Sequence, residues 1–185
     1  MSGCVNLKPK PDRTQLYVLG ANAVSGETVS SMPEIDELYV SRPNMPQFLA
    51  QTKHLIYLNE SGEMRSLKRS RWGEAIEEGL ARAIAEAINQ RLGEPVARFY
   101  PWPEPRSASR LTVELFRMDF AENGHLSAEL TWSLSVSGSS EIAKSATLKT
   151  EIPWDRQRPE TYVAAYDQLI EELADQFVAE LSSQP

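Results

Sequence analysis

Cysteine is almost absent from this chain of 185 residues: there is one, Cys4, so neither an internal disulfide nor a Cys-rich metal site can form. Histidine is nearly as scarce. His54 abuts an apolar run and His125 sits beside Gly124, and neither belongs to a metal-ligand spacing such as H-x-x-x-H. Basic charge is in deficit. A net charge of −7 argues against a general nucleic-acid binder, because phosphate contacts need clustered Lys and Arg. No apolar run is long enough to span a membrane as a helix. The sequence holds no G-x-S-x-G elbow, no Walker loop and no G-x-G-x-x-G turn. These absences point away from an enzyme and imply no cofactor. Carboxylates are plentiful enough to leave a general acid/base pair open, but Glu77 and Glu78 fall in a helical pattern where surface charge is the ordinary explanation.

What is present is enough for one domain: 41% of residues are hydrophobic and four are Trp. The stretch from Arg42 to Gly93 organises the chain. It opens with a Pro-kinked apolar loop, Arg42-Pro43-Asn44-Met45-Pro46-Gln47-Phe48-Leu49, and continues into a strand-like run, His54 to Leu58. A turn at Glu60-Ser61-Gly62 follows. Trp72, Ile76, Leu80, Ala83, Ala87, Ile88 and Leu92 then recur at spacings of three and four, predicting a long helix that opens near Arg71-Trp72. Gly93 before Glu94-Pro95 is its stop. The basic cluster Arg65, Lys68, Arg69 and Arg71 reads either as a solvated loop before that helix or as a phosphate-binding patch. The prolines stiffen the Arg42–Leu49 loop, which lowers the entropy lost on docking. Phe48 and Leu49 either meet a partner there or anchor the loop into the core. Arg71 and Trp72 carry the same two readings.

Residues 1–14 are poor in large apolar side chains and read as a tether; residues 15–185 read as the folded domain. Short strands are expected at Leu16–Leu19, Ile35–Val40 and Val96–Tyr100, with a loop over Ala21–Pro33. Trp102, between two prolines, is either exposed or a lid on the core. Arg110–Phe120, Leu126–Val136 and Ile142–Ile152 form an antiparallel meander with turns at Ala121–Gly124 and Ser137–Ser140. In the second strand Leu126, Ala128, Leu130, Trp132, Leu134 and Val136 make the buried face. Its other face is small and low in charge, so Ser133 and Ser135 belong either to a partner or subunit surface or to ordinary solvated sheet. A final helix starts near Pro159, with Tyr162, Tyr166, Leu169, Ile170, Leu173, Phe177 and Leu181 inward and Asp167 among the solvated acids. The expected architecture is α+β: a two-layer sandwich with two helices on one face of a largely antiparallel sheet.

The order of signals resembles the PqiC-like auxiliary lipoproteins of bacterial ABC-type and MCE-type envelope transport systems. Arg42, Pro43, Pro46, Phe48 and Leu49 stand where that family shows an R-P-x-x-P-x-[FYW]-L-like loop, and Arg71-Trp72 stands where it shows R-W. The early Leu16-Tyr17-Val18-Leu19 and the strand holding Trp132 extend the likeness over most of the chain. Ser2-Gly3-Cys4 looks like the end of a lipoprotein signal, with Cys4 as the acylated residue. The charged and apolar regions of such a signal do not precede it in this sequence, and the expectation is that Met1 stands in place of the native signal. The resemblance implies a non-enzymatic lipoprotein that docks an MCE-domain protein or ABC transporter component moving lipids between inner and outer membranes. It also implies assembly of several copies around a conduit. Val5 after Cys4 implies the outer membrane, with the domain facing the periplasm. The alternative is an envelope regulator that activates a cell-wall synthase. A tether of about ten residues, reaching ~35 Å, favours a partner near the membrane.

Overall fold

The computed structural model describes residues 11–21, 35–136 and 141–182. Among them run β1 (Gln15–Tyr17), β2 (Leu38–Val40), α1 (Gln47–Ala50), β3 (His54–Leu58), β4 (Met64–Trp72), α2 (Ile76–Leu92), β5 (Ala97–Phe99), β6 (Ser109–Ala121), β7 (His125–Ser135), β8 (Ile142–Pro153) and α3 (Pro159–Ser182). Cys4, most of the tether, most of the Ala21–Pro33 loop and the turn at Ser137–Ser140 lie outside the described residues.

All eight strands join one mixed sheet. Its long ladders are antiparallel: β6 with β7, β7 with β8, and β3 with β4. The short strands add parallel pieces, β1 on β4, β2 between β5 and β6, and the end of β3 against β6 at Leu58 and Ala121. Most paired residues therefore sit in antiparallel ladders. The alternation of β7 turns Leu126, Ala128, Leu130, Trp132 and Leu134 to one buried face, and α2 and α3 cover that face. Trp132 is fully buried; its ring meets Phe177 of α3 edge-on at 5.2 Å, and its Nε1 donates to Gln176 Oε1 at 3.1 Å. Further along α3, Tyr162 stacks on Phe120 at 3.6 Å, with Trp72, Trp154 and Tyr166 around it. The Tyr162 hydroxyl donates to Ile56 O at 2.9 Å, so a phenol buried here keeps a partner.

The seam between the two long helices is ionic as well as apolar. Arg91, 3% exposed, donates through Nε to Asp175 Oδ1 at 2.5 Å and through Nη2 to the carboxylate and carbonyl of Glu171 at 2.6 and 3.1 Å. Its Nη1 donates to Ala87 O, so this buried guanidinium is well satisfied. Gly93 closes α2 with φ 72, in the left-handed conformation expected of its stop.

Five sequence expectations are corrected. Arg71 and Trp72 do not open α2; they end β4, and the helix starts at Ile76. The basic cluster is that strand and not a loop. Its alternation is broken where Leu67 and Ser70 are buried around exposed Lys68 and Arg69, with Arg69 at φ 63. Val136 is exposed, because the β7 ladder ends at Ser135. Asp167 is buried and not solvated: its Oδ1 accepts the Gly20 N–H at 2.8 Å. Glu77 is buried as well. Trp102 takes the exposed alternative.

Candidate docking site

The course of the Arg42–Leu49 segment is set by β6. Past Val40 the chain stays beside that strand: Ser41 N donates to Leu111 O at 3.0 Å, Asn44 N to Val113 O at 2.9 Å, and Leu115 N back to Asn44 O at 2.8 Å. Pro43 lies between the two donors, where its missing N–H costs no bond, and it is buried. Pro46, with φ −53, precedes the single turn of α1, and its carbonyl accepts from Leu49 N at 2.9 Å. That turn separates two apolar side chains. Leu49 is 4% exposed and anchors the segment in the core, whereas Phe48 is 37% exposed.

Arg42 is held from below. Its Nη2 donates to Glu77 Oε1 at 2.7 Å, and the guanidinium lies 5.7 Å above the Tyr100 ring. Glu77 sits in the first turn of α2, where the helix dipole favours a carboxylate. Hydrogen bonding to Glu77 and its charge raise the Arg42 pKa. The Arg42 side chain remains 59% exposed, so a guanidinium with five N–H donors keeps most of them for another molecule. Arg42, Pro43, Asn44, Met45, Gln47, Ala50 and Glu77 line an open depression of about 390 Å³. Its chemistry is a positioned cation with an apolar and amide rim, suited to holding a partner segment.

The other sequence candidates stand apart from it. Trp72 is a core residue, edge-on to Tyr166 at 5.3 Å. Arg71 points to the opposite side of β4, exposed. Ser133 and Ser135 are half-buried on the sheet face away from the helices. Ser133 is flanked by Thr112 and Ser145, and Ser135 by Arg110 and Ile142. The uncharged row is confined to Thr131, Ser133 and Ser135 of β7: Glu129 of the same strand pairs with Lys149, and Arg117 with Asp119, on the same face. Glu77 and Tyr100 were not foreseen as site residues. Only the unexplained Arg42 hinted that a carboxylate lay opposite. Among the described residues no group of three or more His, Cys, Asp or Glu could hold a metal, and no helix is long and apolar enough to cross a membrane.

The family described as ABC-type transport auxiliary lipoprotein component matches residues 17–178. No curated protein matches the sequence. The fold is similar to that of a Xanthomonas campestris protein of the DUF330 family, with a TM-score of 0.65 and 15% identity over 91% of this chain and 92% of that one. An uncharacterised protein gives the same TM-score and identity over 84% of this chain and 99% of its own. PelC of Paraburkholderia phytofirmans, a dodecamer, is a looser likeness at TM-score 0.47 and 12% identity, covering 85% of this chain and 95% of that one.

Proposed function

Because the chain belongs to the ABC-type transport auxiliary lipoprotein component family, we propose that it is a non-enzymatic accessory of an MCE-type or ABC-type system carrying lipids between the inner and outer membranes. The family match across residues 17–178 is the observation that carries this reading. In it Cys4 is acylated, Val5 directs the lipoprotein to the outer membrane, and the domain faces the periplasm. The partner-facing element is the Arg42–Leu49 segment. Pro43 and Pro46 hold it in shape before binding, Arg42 offers its spare donors, and Phe48 offers an apolar contact. Leu49 serves as anchor, and Arg71 and Trp72 take no part in that contact. The uncharged row at Ser133 and Ser135 is the surface on which copies of the chain would meet.

The test uses the protein in its own envelope with the native signal in place. A photo-crosslinking residue at Phe48 should capture an MCE-domain or transporter component, and Arg42→Glu should abolish capture. Capture of a cell-wall synthase instead would favour the regulator reading. Cys4→Ala should leave the protein soluble or unprocessed in fractionation. Ser133→Lys with Ser135→Lys should lower the mass measured by light scattering. An already monomeric wild type, or an unchanged mass, would reduce that face to solvated sheet.

A further inference from the structure

The cations along β4 and just ahead of β3 are segregated in a chain that is acidic overall. Lys53, Lys68, Arg69 and Arg71 are all exposed, and none forms an ion pair with a described residue. The carboxylates nearby are few. Glu63 is occupied by Arg65 at 2.7 Å, Glu60 lies out in the β3–β4 turn, and Asp12 sits within electrostatic reach of Arg71. Register places His54, Leu16 and Arg71 side by side on one face, away from the helices. Leu16 is 68% exposed and Met64 55%, so large apolar side chains are interleaved with the cations.

The placement of these groups is deliberate in geometric terms. β1 pairs only with Ser70, Arg71 and Trp72, so Met64–Arg69 has no strand along its outer edge among the described residues. Charged residues, lysine above all, and a bulge on such an edge deter pairing with another sheet, which accounts for charge there but not for large apolar side chains exposed beside it. Here the sign is uniformly positive, with Arg69 held at φ 63 in the irregular turn of strand that leaves both it and Lys68 exposed. The chain enters the sheet at β1, which pairs with the end of β4. Ten residues separate Cys4 from β1 with Thr14 included, and Lys8 and Lys10 are among them.

We propose that the β1–β4 edge is a membrane-facing surface that takes anionic phospholipid headgroups, with Leu16 and Met64 entering the interface beside Lys53, Lys68, Arg69 and Arg71. A tether that enters the sheet at β1 and reaches ~35 Å at most brings this edge within reach of an anchoring bilayer. That orientation rests on the anchored reading of Cys4; the headgroup binding does not.

The experiment uses the full unacylated chain and vesicles of phosphatidylcholine with or without phosphatidylglycerol. The chain should sediment with the anionic vesicles at low salt and be released as salt rises. Lys68→Gln with Arg71→Gln, both exposed positions, should weaken that binding by roughly 25-fold, at about fivefold for each cation. An unchanged thermal melt would confirm that the variant is folded. Equal sedimentation with neutral vesicles, no sedimentation at low salt, or an unaffected double variant would overturn the proposal, as would capture of an acidic protein by this edge without any vesicle binding. Failure of membrane anchoring itself is read separately, by fractionation of Cys4→Ala in the envelope.

Discussion

The two edges of β6 are built in opposite ways. Along one edge a single strand, β7, pairs with it from Arg110 to Ala121 and is joined to it by a short turn. Along the other edge three pieces share the work: β2, the extended backbone of Ser41–Asn44, and the end of β3. A continuous hairpin partner closes a short loop and gains many bonds at once. A piecewise edge makes few bonds per segment, so each piece needs a side-chain anchor from elsewhere. Leu49, the Arg42–Glu77 pair and the Tyr162–Ile56 hydrogen bond are those anchors. The same economy leaves room for a loop that presents side chains outward, which the hairpin edge cannot offer.

Attacking the continuous edge should have the largest effect. Trp132→Ala is expected to cost roughly 3–5 kcal/mol and to lower the whole unfolding transition in urea. A loss confined to part of the transition would show that the hairpin edge is not the common foundation. Leu49→Ala should cost less, about 2–3 kcal/mol, because a one-turn helix can settle into the space left behind. Amide exchange should accelerate at Asn44 and Leu115 while the β6–β7 ladder stays protected. If both regions open together, the two edges are one cooperative unit.

Arg42→Ala should loosen the same segment more weakly, by leaving the buried Glu77 carboxylate without its cation. Adding Glu77→Gln should recover much of the loss, a coupling that a double-mutant cycle measures directly. The smallest effect is expected at Asp167, the anchor of Gly20 beyond β1. Burial raises its pKa, so the native state favours the protonated form, and stability present below the ordinary carboxylate range is lost as pH rises through the raised value. Asp167→Asn should therefore raise the melting temperature at pH 7, with a gain that fades on acidification. A gain independent of pH would mean that charge is not the cause.

The contrast between edges also explains what the sequence disclosed. β6, β7, β8 and α3 were legible because their alternation or helical period persists over many residues. β4 was not, since edge strands carry charge and an irregularity at Lys68–Arg69 erases the period of two. The start of α2 was misplaced for a related reason. Trp72 and Ile76 are four apart, and a strand end delivering one core residue ahead of a helix mimics a helical stripe. The register shift at Leu115–Arg117 similarly brings Met118 and Phe120 inward after an exposed Phe116. Of the site, the Arg42–Leu49 loop could be read from its prolines, and its division into a buried Leu49 and a half-open Phe48 could not. Glu77 and Asp167 looked like surface charge because the partners that bury them lie on other segments.

Gly124 sets a limit on how this domain can vary. It lies in the β6–β7 turn at φ 90, and a Cβ there would come 2.9 Å from the Trp154 carbonyl oxygen, whose own N–H is bonded to Gly124 O. Every substitution at this position adds that carbon. Each would therefore push away the end of β8 and with it the Trp154 ring that packs on Tyr57, Phe120 and Tyr162. A hairpin turn far along the chain from the tether and the loop is thus a point on which the packing of the Trp154 cluster depends.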